Sequence, residues 1–217
     1  MIEHPEKSTK RSKRPMVIAA IAAIVTLSMG WLVADNFFAS EDSNTVPLTS
    51  ASPLFVADEF GFSVKFPAVP ERQDQALNSG GQDLTVTTFS AGELDSGFGL
   101  STTLAQCTPV GKDLDARLQA SAAGAIQGAA KSTGFSPTVN SQTPFTVAGS
   151  PGLQTDFTLT EGSDTLHVMS AVVINGPRFY TLSANNPSEE SWSNFLGSFT
   201  ITKDPAALPE CAPLAGS

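Results

Sequence analysis

The chain is poor in the side chains that covalent chemistry uses: two cysteines, two histidines and one tyrosine in 217 residues. Cys107 and Cys211 form no C-x-x-C pair, and no histidine neighbours either thiol, which argues against a redox-active couple. His4 precedes the long apolar segment, so His167 stands alone in the remainder. One histidine and two cysteines do not furnish a zinc site, and no nucleophile elbow accompanies His167 for a Ser-His-Asp system. No glycine-rich phosphate loop opens a helix; Gly80-Gly81 precedes a strand and reads as a turn. Cations are scarce too, with 12 Lys and Arg against 21 Asp and Glu. Aromatics do not interleave with those cations, so a base-stacking surface for nucleic acid is excluded.

The chain does have one long apolar run. Met16 to Ala34 is 19 residues without a charge, about 28 Å as a helix, which matches the hydrocarbon core of a bilayer. Lys7, Lys10, Arg11, Lys13 and Arg14 precede the run, and the next cation along the chain is Lys65. That asymmetry keeps the N-terminus in the cytoplasm and places the chain beyond the run outside. The expected order is a basic cytoplasmic N-terminus (1–15), a transmembrane helix (16–34), a flexible spacer (35–56), an extracytoplasmic domain (57–203) and a tail (204–217). A cleaved signal peptide is the competing reading. Its apolar core is shorter as a rule, and Leu32 fits poorly two places before Ala34, though Ala39-Ser40 remains as a site. Trp31, near the outer end, suits an uncleaved anchor at the interface. No cysteine precedes Cys107, which rules out lipidation beside the run. Ala19 and Ala23 give a small-xxx-small spacing, which in so alanine-rich a segment is composition first and helix pairing second.

The charge is lopsided. Residues 1–34 hold five of the cations and two of the anions, Glu3 and Glu6, leaving seven cations and 19 anions in the rest. Such an acidic domain repels phosphate, which argues against binding nucleic acid or an anionic surface by charge. The acids are scattered, as solubility alone would have them. Outside the reducing cytosol the even pair Cys107 and Cys211 is most simply a disulfide that ties down the proline-rich tail, with two buried thiols as the alternative.

Periodicity gives an α+β order. Phe60, Phe62, Val64 and Phe66 alternate in a strand stopped by Pro67. Leu84, Val86 and Thr88 form a second strand, and Phe98, Leu100, Thr102 and Leu104 a third. From Asp113 to about Ser132 the period changes. Leu114, Leu118, Ala122, Ala125 and Ala129 stack on one helical face, with Gly134 as the stop. Val139, Phe145–Val147 and Leu153–Leu159 return to strands, a turn at Glu161-Gly162-Ser163-Asp164 leads into Leu166–Ile174, and Asn175-Gly176 signals a hairpin into Arg178–Ala184. Asn186 as N-cap and Pro187 at the first turn open a short helix that buries Trp192, Phe195 and Leu196. Phe199–Ile201 is the last strand. The fold class is an antiparallel sheet covered by one long and one short helix, preceded by a single transmembrane helix.

Two stretches carry a family resemblance: Gly61-Phe62-Ser63-Val64-Lys65-Phe66-Pro67, and Arg178-Phe179-Tyr180-Thr181-Leu182 followed by Phe195-Leu196-Gly197-Ser198-Phe199. Over roughly residues 57–202 the chain resembles the PsbP-like fold, an α/β/α sandwich whose bacterial members show similar strands. The resemblance implies a non-enzymatic domain, as in extrinsic photosystem subunits and mycobacterial envelope lipoproteins. This chain departs from the latter in lacking a lipidated cysteine and from the former in its anchor. No functional residue is carried over.

The remaining candidates are weak as chemistry. His167 shares a strand face with Met169, Ala171 and Val173, which favours a hydrogen-bonded, partly buried side chain. Asp113-Leu114-Asp115 and Glu161-Gly162-Ser163-Asp164 match no calcium loop, and helix-start and turn duties explain both. Small residues on the long helix leave room for a ligand cleft at Leu118, Ala122 and Ile126, or else bring the helix tight onto the sheet. The function expected is a membrane-anchored, extracytoplasmic binding or interaction module of the bacterial envelope, without cofactor or metal. Its partners are the membrane, through the N-terminal helix, and an envelope protein or an apolar small ligand. The alternatives are an assembly subunit of a membrane complex and a hydrolase built on an Asp/Glu pair about 5 to 9.5 Å apart.

Overall fold

The computed structural model describes residues 48–79, 82–93 and 95–211. The basic N-terminus and the apolar segment 16–34 lie outside the described residues. Among the described residues, no helix is long and apolar enough to cross a membrane.

Among the described residues, ten strands and two helices run in the order β1 (Leu54–Ala57), β2 (Phe62–Lys65), β3 (Glu71–Ser79), β4 (Gln82–Ala91), β5 (Phe98–Leu104), α1 (Gly111–Thr133), β6 (Ser136–Val147), β7 (Ser150–Glu161), β8 (Asp164–Asn175), β9 (Arg178–Asn185), α2 (Glu189–Ser198) and β10 (Thr200–Ile201). A large antiparallel sheet has the order β3-β4-β5-β9-β8-β7-β6, and a small one the order β1-β2-β10. The antiparallel sheet flanked by one long and one short helix agrees with the expected fold class.

Strand alternation builds a core on each face of the large sheet, because successive side chains point to opposite sides. In β8, Ala171 and Val173 face one way, with Phe98, Leu100, Leu182 and Tyr180, and meet Phe62, Val64, Phe66, Trp192, Phe195 and Phe199. Val172 and Ile174 face the other way and meet Leu118 and Ala122 of α1. The first layer differs from the expected one. A small sheet and a short helix share that face, and α2 rests on β2. The strand Phe62–Lys65 pairs with β1 and β10 instead of lengthening the large sheet, and its Phe62 and Val64 cover that sheet's apolar face.

Three further differences arise from tertiary packing. The end of the stretch read as a spacer is part of the fold: Leu48 is buried in the main core, and Leu54–Ala57 pairs with β2. Phe55 lies 5.1 Å from Phe89 and 6.0 Å from Phe66, centroid to centroid, so an apolar residue among Ser, Thr and Pro anchors the segment. The strand Glu71–Ser79 has no apolar alternation and forms by nine-residue pairing with β4. The short helix begins at Glu189, capped by Ser188, whose side-chain oxygen accepts from the Ser191 backbone N–H at 3.1 Å.

Asn186, expected as that cap, does something else. It takes a left-handed conformation, φ 42°, which asparagine tolerates better than most residues. Its Oδ1 accepts from the His167 backbone N–H at 2.9 Å and its Nδ2 donates to the Asp95 carbonyl at 3.0 Å. One side chain thus ties the start of β8 to the turn before β5. Asn186→Ala is expected to destabilise the domain by about 1 to 3 kcal/mol, through two lost hydrogen bonds and a strained φ. Chemical denaturation of the two proteins checks this; an unchanged midpoint would remove Asn186 from any organising role.

Turns are set by residues that accept positive φ. Gly162 (60°) and Gly176 (54°) open two-residue hairpins, while Ala148 (49°) and Gly149 (83°) join β6 to β7. The edge strand β6 is exposed along most of its length and carries no charged residue. Pro137 and Pro144, which lack an N–H, and a register shift between Val139 and Ser141 blunt it against further pairing.

The single tyrosine closes the seam between the two sheets. Tyr180 is fully buried, and its hydroxyl donates to the Phe60 carbonyl at 2.9 Å. Beside it Gly61, at φ 68°, passes so close to Lys203 that a Cβ would lie 2.5 Å from that carbonyl oxygen. Burial pushes the Tyr180 hydroxyl up to about 12, with Arg178 opposing and Asp204 adding to the shift. The folded state therefore favours the neutral phenol. The contribution is whole below pH 10, and it is lost as pH rises from about 10 to about 12, where only the unfolded chain gives up its proton. The loss is about 2 to 3 kcal/mol, at 1.36 kcal/mol per unit. Because no other tyrosine exists, tyrosinate absorbance titrates this residue alone. A native midpoint near 10 would mean that water reaches the hydroxyl.

Candidate functional site

Three places could carry chemistry or binding. The first is the interface of α1 with the large sheet. Its sequence, GKDLDARLQASAAGAIQGAAKST, alternates long residues with alanine and glycine. Leu118, Ala122 and Ile126 are all buried there. Leu118 and Ala122 pack with Leu153, Val172, Ile174 and Phe179, whereas Ile126 packs with Phe157, Leu159, Leu166 and Val168. The small residues have thus let the helix lie close, and the three positions expected to line a cleft fill space between helix and sheet.

On the same helix, sequence reasoning missed an ion pair. Asp113 and Arg117 are both buried, and the Arg117 Nε donates to Asp113 Oδ2 at 2.5 Å. Asp115 is exposed, so the two aspartates expected as a carboxylate grouping point apart. The i, i+4 spacing of Asp113 and Arg117 was the available signal. Among the described residues, Asp113 Oδ1 and the Ser121 hydroxyl have no hydrogen-bond partner. Glu161 and Asp164 are exposed and face each other across the β7–β8 turn. Among the described residues, no three of His, Cys, Asp and Glu gather as a metal site.

The second place surrounds His167. Its Nε2–H donates to Asp156 Oδ1 at 2.9 Å, and the same oxygen accepts from Asn140 Nδ2 at 2.8 Å. Asn140 also donates to the Thr158 hydroxyl oxygen at 3.0 Å. The histidine is the half-buried, hydrogen-bonded strand residue that its apolar face-mates suggested. Asp156 and Asn140 reach it from β7 and from the bulge in β6, a gathering that only the sheet register creates.

The third is a cation–aromatic stack at the surface. The Arg72 guanidinium lies 5.0 Å from the Phe60 centroid and that of Arg178 5.8 Å. Arg72 also pairs with Glu59 and Asp74, both at 3.0 Å. The Thr87 hydroxyl, at 2.6 Å, and then Arg72 hold the Asp74 carboxyl below the ordinary carboxylate range. With its carboxylates in place, Arg72 is satisfied by its own neighbours.

The bridge is present: Cys107 and Cys211 form a disulfide with Cα atoms 4.9 Å apart and 104 residues apart in sequence. Around it the tail is stitched to the segment before α1. Thr108 N–H donates to the Pro209 carbonyl at 2.8 Å, and Cys211 N–H to the Thr108 carbonyl at 2.9 Å.

No protein-family model matches this chain, and no curated protein matches it either. Among solved structures it is similar to cyanobacterial PsbP (CyanoP) from Synechocystis sp. PCC 6803, at 14% identity and a TM-score of 0.49, over 76% of this chain and 98% of that one. It is also similar to a crystal structure from Bacteroides thetaiotaomicron VPI-5482, at 11% identity and a TM-score of 0.39, over 70% of this chain and 49% of that one. A third is PA94 from Pseudomonas aeruginosa, a protein of unknown function, at 10% identity and a TM-score of 0.32, over 64% and 84% of the two chains. These are likenesses of chain path, and the α+β class of the present chain follows from its own sheet order.

Proposed function

We propose that this chain is an interaction module of the bacterial envelope, held outside the cytoplasmic membrane by residues 16–34 and acting without catalysis of its own. The observation that carries this reading is the Cys107–Cys211 bridge, since disulfides persist in oxidising compartments. It agrees with the side of the membrane that the five N-terminal cations select. A protein partner is favoured over an apolar small ligand, because Leu118, Ala122 and Ile126 are occupied in packing. An assembly subunit of a membrane complex is the closely related second reading, favoured by the same packing.

Crosslinking of the tagged full-length chain in intact membranes, followed by detergent extraction, tests the proposal. A stoichiometric envelope protein recovered with the chain supports it. A chain extracted with only a tightly held small molecule turns the reading to ligand binding. Hydrolysis of envelope glycan that is lost on replacing a pair of Asp or Glu residues would refute it in favour of the carboxylate hydrolase.

A further inference from the structure

The first hairpin, β1 and β2, presents apolar side chains to solvent for a reason set by the fold. Phe55 and Ala57 face the core, so alternation turns Leu54 and Val56 outward, where they are 56% and 50% exposed. Leu54 stands opposite Lys65 in the register, and the Lys65 ammonium donates to the Ser50 carbonyl. Val69, beyond the same end of β2, is 85% exposed. Three of the six exposed large hydrophobics among the described residues thus fall between positions 54 and 69. This stretch lies directly after the chain's entry into the fold.

That entry is fixed. Leu48 is 2% exposed in the main core, and the next residues are held by Thr49 N–H donating to the Ser52 hydroxyl oxygen at 3.0 Å and by Lys65 on Ser50. Thirteen residues separate Ala34 from Leu48, a reach of at most about 45 Å when fully extended. With the chain entering beside Lys65, this hairpin lies next to the attachment point and within that reach of the bilayer. Weak contacts then suffice, because a tethered surface meets its partner at an effective concentration in the millimolar range.

We infer that the Leu54, Val56 and Lys65 face of the first hairpin rests on the outer surface of the phospholipid bilayer. The aliphatic side chains enter the headgroup boundary and the Lys65 stem lies along them while its ammonium stays on the Ser50 carbonyl, so the contact is apolar and does not depend on charge. The inference rests on the anchor reading of residues 16–34. It assigns the domain an orientation, with the β1–β2 hairpin down.

The test uses the full-length chain in phosphatidylcholine vesicles, with a nitroxide on Val56→Cys and, separately, on Val139→Cys of the exposed strand β6. The native cysteines are bridged and stay unlabelled without reductant. The expected result is a ratio of oxygen to water-soluble nickel collisions several-fold higher at position 56 than at 139. The Leu54→Ser substitution in the label's background should lower that ratio. Equal ratios in protein that resists carbonate extraction would overturn the inference and leave the anchor standing. A label at 56 shielded from both reagents would overturn it in favour of a protein or a second copy on this face. Protein washed from the vesicles by carbonate would overturn both the inference and the anchor.

Discussion

Opening the Cys107–Cys211 bridge is expected to lower the unfolding free energy by about 4 to 5 kcal/mol in the chain-entropy model, because the loop it closes is long. The two cysteines are 104 residues apart, and the loop between them includes α1 and strands β6 to β10. Without the bridge, the last described residues depend on three backbone-anchored hydrogen bonds: Thr108 N–H to Pro209, Cys211 N–H to Thr108 and the Thr108 hydroxyl to the Leu208 carbonyl. Each contributes about 1 kcal/mol net, against roughly 1 to 2 kcal/mol per residue for ordering the tail backbone. The tail beyond Asp204, whose side chain accepts from Asn175 Nδ2 at 3.1 Å, should therefore detach when the bridge is reduced, while the sheets remain folded in mild conditions. Urea unfolding of the oxidised protein and of the Cys107→Ser, Cys211→Ser double variant measures the loss. Coincident midpoints would show that the unfolded chain gains little freedom, and would weaken the use of the bridge as a sign of compartment.

Phe62→Ala is the point substitution expected to cost most, about 3 to 5 kcal/mol. Phe62 is fully buried, and it joins the two sheets. Its ring lies 5.6 Å from that of Phe89 and 5.9 Å from Tyr180 in the large sheet, and 6.2 Å from Phe199 beside β10. Truncation removes the transfer energy of the ring and four aromatic contacts, the fourth to Phe55 at 6.3 Å, and it leaves a cavity between the two layers. Phe62→Leu keeps most of the volume and should cost much less. The same variants have a second readout. A cavity beside Tyr180 admits water, so the tyrosinate midpoint should fall from about 12 towards its ordinary value near 10 in Phe62→Ala, and much less in Phe62→Leu. A large loss of stability with no movement of that midpoint would place the damage elsewhere than at the seam.

Legibility tracked periodicity. The helix Gly111–Thr133, its stop at Gly134 (φ 77°) and the hairpins at Gly162 and Gly176 were readable because local physics fixes them: an apolar stripe at helical spacing, and glycines where φ must be positive. The strand Glu71–Ser79 was not readable, since its residues satisfy no face and only the neighbouring β4 makes them a strand. Leu48 and Phe55 were indistinguishable from a spacer for the same reason, as their burial depends on a core assembled from residues far along the chain. At the short helix, both Asn186 and Ser188 are good caps by type. The choice fell to Ser188 because Asn186 is engaged by His167 and Asp95.

The candidate sites show the same divide. The pairing of Cys107 with Cys211 was expected by arithmetic, with two buried thiols as the alternative, and the structure holds the bridge. The Asp113–Arg117 pair was within reach of a helical wheel. The Asn140, Asp156 and His167 cluster was not, because it depends on which residues of β6 and β7 stand opposite each other, and a bulge sets that. Composition, charge order and hydrophobic period are properties of neighbours along the chain, so the sequence determined the apolar segment, the direction of its flanking charge and the α+β class, with the bridge as its simplest expectation. Which face of a strand is covered, and by what, is a property of neighbours in space. Only the tertiary structure decided that the first hairpin covers the large sheet, that Leu118, Ala122 and Ile126 fill the helix interface, and that Leu54 and Val56 are left outside.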